Sequence, residues 1–390
     1  MPDTPIAPTI PSSTSVVAVA VAGMGRDGSV AAHYGDLFGE QRRLVERVGV
    51  VDRSNRELVT VTGEDRLSWL HTLTTQHTAA LPSGTGTEAL ILTPQGRLAH
   101  HVLVTEDGTT TWLDTEPGAA APLVAFLRRM RFLLRVEPRD VSPEWAMLSV
   151  LGPDAHGLLV TAGLVSDYTG FGAVDPHATT WPVRPFPGGG WLRRVPWPTP
   201  HAFDLLVPQE QLIPLKQQLH ELGGAPCGVD AYEVLRVAAR RPRLGKETDD
   251  RTMPHEVSWV SSAVSLNKGC YPGQEAVAKI HNLGQPPRRL VLVHFDGTSD
   301  QLPATGEPVL REGREVGFVG TAVRHYELGN VALAVLKRGT ADDAELEIAG
   351  ARAVIDSDAD SGAAVASVPG GAGAGRRAVA EFTARRRSAQ

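Results

Sequence analysis

Residues 268–280 read KGCYPGQEAVAKI, and the rest of the reading turns on this stretch. Pro272-Gly273 marks a turn. Gln274 to Lys279 is composed of residues compatible with a helix, with a strand as the alternative. On the helical reading Cys270 stands just before the helix N-terminus and Lys268 lies two residues away. Both circumstances favour thiolate over thiol. Gly269 and Gly273 leave room for a ligand or another backbone to approach. A lone cysteine is more often inert core than reactive, but the flanking Gly, Lys and polar residues argue against burial in hydrocarbon. Cys227, in GAPCG (224–228), lacks that setting and reads as structural.

Upstream, Asp230 to Ala239 has Val234, Leu235 and Ala238 on one face and predicts a helix. Pro214 to Leu222 predicts another, with Pro suited to its start and Gly223-Gly224 to its end. Pro122 to Phe132 reads as an amphipathic helix with a basic face. Ala89–Leu92 and His101–Thr105, joined by the turn Pro94-Gln95-Gly96, read as a hairpin. Val50–Val61 is β-like with charges at its centre. Thr62 or Gly63 is expected to cap a helix that carries Glu64 and Asp65 in its first turn. Downstream of Gln285-Pro286-Pro287 the texture changes to short β-rich runs: Leu290–Phe295, Val309-Leu310, Val316–Val319 and Val331–Leu336. Gly, Asp and Asn turns separate them, which predicts a small β-barrel.

The chain has 390 residues, 42% hydrophobic and 21% charged, and so reads as globular with two or three domains. Its net charge is −6. The last thirty residues contribute +4, leaving −10 for the remainder, a poor surface for nucleic acid. Two cysteines cannot make a disulfide framework or a four-Cys metal site, and a reducing cytoplasm fits them best. No apolar run approaches the roughly 20 residues that span a bilayer. Val16–Ala22 is short, with no Lys or Arg before it, and reads as a strand or part of a disordered leader rather than a signal peptide. Residues 1–15 are Pro/Ser/Thr-rich, and the segment from about 361 is Gly/Ala/Arg-rich. No Walker loop or complete dinucleotide fingerprint is present.

Residues 268–275 resemble the Lys-Gly-Cys-aromatic-x-Gly-Gln-Glu signature of the YgfZ-type folate-binding proteins, bacterial relatives of mitochondrial iron–sulfur assembly factors. Every fixed position is filled. The resemblance continues through Arg236–Arg240, Met253–Glu256, His281–Gly284 and Arg288–Leu290. The N-terminal half, through Gly49–Asp52, Val61–Asp65 and Leu92–Arg97, is similar to the superfamily that includes the aminomethyltransferase (T-protein) of glycine cleavage. The resemblance implies an α+β fold: a T-protein-like folate-binding core of intertwined subdomains over 34–284 and a small C-terminal β-barrel over 285–355. Residues 1–33 are then a flexible leader and 356–390 a disordered basic tail.

The resemblance also implies tetrahydrofolate, or a folate derivative, as ligand. Arg236 matches a position that lines the pterin pocket; the alternative is an ion pair with Glu233 one helical turn away. His101, Glu256 and Gln274 complete the expected folate-side residues. Cys270 is expected to do the work, with Lys268 assisting it. The family's glycine-cleavage members carry an Asp pair after the hairpin glycine, where this chain has His100-His101. An imidazole, with an ordinary pKa of about 6.5, supplies no fixed negative charge there, so aminomethyl transfer is not expected. Adjacent strand residues point to opposite faces, so no metal site is expected from the His pair. The leading expectation is a cytoplasmic, monomeric accessory factor for assembly or repair of iron–sulfur proteins. Its partners would be those proteins and their assembly machinery, including tRNA-modifying enzymes, with no direct nucleic acid and no membrane. A folate-dependent one-carbon transferase or demethylase, with Glu256 or His101 as base, is the second reading. A non-catalytic, folate-stabilised scaffold is the third.

Overall fold

The structure, a computed structural model, describes residues 21–23, 25–165, 171, 175 and 177–356. The strands of the first part are β1 (Val21–Ala22), β2 (Ala31–His33), β3 (Gly49–Asp52), β4 (Glu57–Thr62), β5 (Thr85–Leu92), β6 (Leu98–Glu106) and β7 (Thr110–Thr115). They continue as β8 (Glu137–Asp140), β9 (Trp145–Leu151), β10 (Thr180–Pro185), β11 (Trp191–Val195), β12 (Ala202–Pro208) and β13 (Ala225–Cys227). The helices are α1 (Leu37–Glu46), α2 (Arg66–Leu73), α3 (Ala120–Arg129), α4 (Ala155–Thr161), α5 (Leu212–Glu221), α6 (Val229–Ala238), α7 (Val260–Ala263) and α8 (Gln274–Leu283). Among the described residues no helix is long and apolar enough to cross a membrane.

An 11-stranded sheet runs β13-β3-β9-β12-β11-β10-β5-β6-β7-β4-β8. β10 joins its halves: residues 180–182 pair with β5 and residues 183–185 with β11. The chain enters one half at β3, crosses to the other for β4–β8, and returns for β9–β13. That double crossing is the intertwining expected of the core. The hairpin β5–β6 forms in the expected register, with Leu90 opposite His101 and Ile91 opposite His100. Gly96 turns it at φ +78°.

Local signals explain most helices. α3 buries Ala120, Leu123, Val124 and Leu127, one stripe at helical spacing. It starts two residues ahead of Pro122 because the Glu57 carboxylate accepts the Ala120 N–H at 2.7 Å. α5 buries Leu212, Leu215 and Leu219 and ends at Gly223, φ +101°. The start of α2 differs from expectation. Glu64 and Asp65 precede the helix, and Asp65 makes no capping bond to it. Its carboxylate instead accepts the Arg135 backbone N–H at 2.8 Å.

Residues 21–33 were expected in a flexible leader, but β1 pairs with β2. The Asp27 carboxylate takes bonds from Asn55 and Arg243. The fold therefore starts before residue 34. Residues 1–20 and the tail from 357 lie outside the described residues.

The barrel strands are β14 (Arg288–Phe295), β15 (Pro308–Arg311), β16 (Arg314–His325), β17 (Gly329–Lys337), β18 (Glu345–Ile348) and β19 (Ala351–Ile355). They close in the order β14-β17-β16-β15-β18-β19, with Val293 opposite Ile355 at the seam. Closure removes free sheet edges. Arg288, at the first barrel position, binds Asp249 and Glu256 of the core. Buried Gln41 of α1 bridges the Arg324 carbonyl and the Tyr326 N–H.

Two glycines dock the signature segment on the hairpin. Gly273 (φ +81°) lies against the tip, where an added Cβ would stand 2.6 Å from the Thr93 carbonyl oxygen and 2.7 Å from Gly96 Cα. A Cβ on Gly96 would stand 2.7 Å from Ala276 Cβ. Gly273→Ala is therefore expected to lower stability by about 2–4 kcal/mol. Gly297→Ala, at φ +72° with open space around it, should cost only about 1 kcal/mol. Urea denaturation measures both; equal losses would contradict the docking.

Candidate functional site

Lys268 opens the signature with its side chain turned inward. It is 6% exposed. Its ammonium donates to the carbonyls of His71, Thr74 (2.6 Å) and Gln76 (3.2 Å). The His71 and Thr74 carbonyls belong to the last turn of α2 and its cap, where carbonyls lack intrahelical partners and the helix dipole favours a cation. Tyr271, 5.1 Å from the ammonium by ring centroid, covers it. Lys268 is therefore a tie between the signature and α2, and its role as a cationic assistant to Cys270 is corrected accordingly. Burial lowers its pKa to about 8; the three carbonyls hold the proton on the amine at neutral pH.

Tyr271 and Val277 sink into a cluster with Leu90, Leu92 and Leu98 of the hairpin, Trp259, and Val335 of the barrel. Between these anchors Gly269 and Cys270 stay exposed. The thiol thus stands in solvent on a base fixed at both ends. Cys227 is the opposite case. It is 1% exposed, its Sγ lies 3.7 Å from the Glu40 carbonyl, and burial pushes the thiol up to about 12. Gln274 is the first residue of α8, and its amide donates to the Lys268 carbonyl at 3.3 Å. It braces the turn around Cys270 rather than standing free for a ligand.

Beneath this turn lies a second cluster. His101 is 6% exposed, stacks on Trp259 (centroids 4.4 Å apart, 15° between planes) and places Nε2 2.7 Å from Glu88 Oε1. Arg241 bonds the same Glu88 oxygen at 2.5 Å and lies 4.0 Å from the Trp197 ring centroid. Burial opposes ionisation of Glu88, but Arg241 and His101 outweigh it and hold its carboxyl down to about 2. The ionised carboxylate accepts a hydrogen bond from Nε2–H. That leaves His101 Nδ1 as a buried atom with no partner among the described residues. His100 goes elsewhere: it contacts Phe126, and burial lowers it to about 4.

Arg236 does not offer its guanidinium to a ligand. It is 4% exposed, and its nitrogens bind Glu233, Glu247, the Arg241 carbonyl and Thr321 Oγ1. These contacts occupy all five N–H donors, so the ion pair with Glu233 is the arrangement found. Glu256 is likewise committed. It accepts the Met253 N–H and both Nε and Nη2 of Arg288, pinning the barrel to the core. The structure thus brings Cys270, Lys268 and Gln274 together, places His101 on the hairpin behind them, and leaves Arg236 and Glu256 in ion-pair ties. Glu88, Arg241 and Trp259 had no sequence motif to expose them. The basic run Arg240-Arg241-Pro242-Arg243 directly after α6 was the one available signal.

Comparison with known proteins agrees with this architecture. Residues 36–268 match the family model described as the GCVT N-terminal domain, well over half the chain. This chain belongs to the GCVT family. Residues 288–359 match the CAF17 C-terminal beta-barrel domain, which carries the YgfZ-type half of the resemblance. The chain is 26% identical over 299 residues to an aminomethyltransferase of Rubrobacter xylanophilus, covering 76% of this chain and 77% of that one. It is 28% identical over 313 residues to an aminomethyltransferase of Symbiobacterium thermophilum, covering 77% and 81%. Its fold is similar to the crystal structure of glycine cleavage system aminomethyltransferase T from Bartonella henselae: TM-score 0.75, 18% identity, 87% of this chain and 93% of that one.

Two outcomes follow from the geometry. In the folded protein a thiol reagent should modify one cysteine, Cys270, within minutes, and Cys227 only after denaturation; mass spectrometry of the labelled peptides decides it. Lys268→Met should lower stability by about 2–4 kcal/mol, because it strands buried carbonyls. The pH dependence has a definite sign. The folded pKa of about 8 lies below the ordinary 10.5, so between those values the unfolded chain holds a proton the folded one has released. This group's contribution to stability therefore rises from pH 8 to 10.5. The rise should be missing in Lys268→Met, and an unchanged pH profile would contradict the burial.

Proposed function

We propose that this chain is a tetrahydrofolate-binding accessory factor for the assembly or repair of iron–sulfur proteins, with Cys270 as its working group. The observation that carries the proposal is the position of Cys270: an exposed thiol on a turn that is buried and bonded on either side. Packing has no use for a sulfur in solvent, whereas a soft ligand for iron or a sulfur species must be reachable. In this role Cys270 supplies one thiolate to iron, and the client's own ligands supply the rest. Membership of the GCVT family and the YgfZ-type barrel support the folate half. The iron–sulfur half rests on the signature around Cys270.

A second reading draws on His101. A carboxylate on Nε2 and an unpartnered Nδ1 is the arrangement of an oriented general base. It makes a folate-dependent one-carbon transferase the alternative. Glu256, the other base considered for that reaction, is removed from it by Arg288.

The experiment pairs Cys270→Ala with a folate-binding assay. The variant should bind 5-formyltetrahydrofolate as the parent does and fail to restore a radical methylthiolation of tRNA in a deletion strain. Full restoration would reduce the protein to a folate-stabilised scaffold. Failure of the parent to bind the folate would remove the ligand from the proposal. Turnover of methylenetetrahydrofolate by the purified parent, lost in His101→Gln, would establish the transferase instead.

A further inference from the structure

The core and the barrel enclose a cavity of about 420 Å³ at their junction, away from Cys270 and His101. That volume falls in the usual range for small-molecule sites, which favour domain interfaces. One wall is α6, through Asp230, Glu233 and Val234, which share a face at helical spacing; the opposite wall is β16, through residues 321–324. Leu37, Leu302 and Val323 add aliphatic surface, and among the described residues no Phe, Tyr or Trp lines the space.

The charged groups of the lining fall into two kinds. Asp27 is held by Asn55 and Arg243, and Glu233 by Arg236 and Arg243. Arg324 donates to the Asp300 carbonyl, and His33 Nδ1 accepts the Gly35 N–H. Asp230 and Lys246 differ. Neither side chain makes a hydrogen bond or a close ion pair among the described residues; Asp230 feels the longer-range attraction of His33 and the repulsion of Glu233, Asp27 and Glu40. Asp230 is exposed and Lys246 half-buried, so both stand where a ligand entering the cavity meets them. A ligand carrying both charges pairs with both groups at once, whereas one with a single charge leaves the other group to water and gains only one charge-assisted bond.

We propose that this cavity binds a zwitterion of the amino-acid class with an aliphatic body. Its ammonium lies on Asp230, its carboxylate on Lys246, and its side chain along Leu37, Val234, Leu302 and Val323. The site is independent of the folate reading. Because its walls belong to both the core and the barrel, occupancy clamps the two together and raises the melting temperature by ligand linkage.

The test titrates the full chain with L-leucine, leucinamide and 4-methylpentanoate by calorimetry or ligand-observed NMR. Leucine should bind saturably, and each analogue, lacking one charge, roughly tenfold more weakly. Asp230→Asn should bring leucine down to the affinity of 4-methylpentanoate while leaving that acid's own binding unchanged. Lys246→Met should bring leucine down to the affinity of leucinamide in the same way. Among the described residues neither side chain has a hydrogen bond or close ion pair to lose, so without ligand Lys246→Met should keep the parent's melting temperature, and Asp230→Asn, which removes a first-turn carboxylate of α6 and its attraction to His33, should shift it only slightly. No saturable leucine binding overturns the proposal. Equal binding of all three compounds overturns the charge assignment, and parent-like affinity in both variants overturns the location.

Discussion

A buried ammonium must be bonded, and that requirement organises the site. Lys268 is sealed under Tyr271 with three carbonyls around its nitrogen. Two of those carbonyls end α2, so the same contact satisfies a helix terminus and anchors the signature. Gly273 against Gly96 fixes the next bend, and Val277 of α8 then meets the hairpin core. With both flanks committed, the two residues between them have nowhere to pack, and Cys270 is left in water. Its exposure results from strong anchoring on either side, not from a loose loop.

A second constraint runs through the middle of the molecule. Arg193, fully buried, binds Asp114 of β7 and Asp204 of β12, and so links the two halves of the sheet. Arg56 carries the chain of charges from Asp114 to Glu116, and Arg243 from Glu116 to Asp27 and Glu233. Arg236 extends it to Glu247 and the barrel residue Thr321. Buried pairs of this kind add little net stability but are costly to break singly. Here they specify how subdomains that cross the sheet twice are set against each other and against the barrel. Arg236 serves that assembly, which explains why it presents no donor to a ligand.

Much of the fold was legible because its signals are local. The stripe of α3, the Gly stop of α5, the turn at Gly96 and the change of texture after Pro287 each lie within a dozen residues. What was misread depends on partners far along the chain. Lys268 beside Cys270 suggests a cation for the thiol, but its direction is set by carbonyls nearly two hundred residues away. Asp65 looks like a helix-opening acid and holds Arg135 instead. Asp27 reads as leader until Arg243, 216 residues on, is seen to bind it. Glu88, Arg241 and Trp259 carry no motif and become a site only when the hairpin, the loop after α6 and α7 converge around His101. Arg236 was half legible: Glu233 lies one turn away, whereas Glu247 and Thr321 could not be foreseen.

The central claim is mechanical: the turn that presents Cys270 is as firmly held as the hairpin beneath it. Amide hydrogen exchange tests this directly. The amides of Val277 and its neighbours in α8 should exchange as slowly as those of β5 and β6, with fast exchange confined to Gly269 and Cys270. Exchange of the whole 268–280 segment within seconds, while the hairpin stays protected, would show a mobile loop and contradict the account.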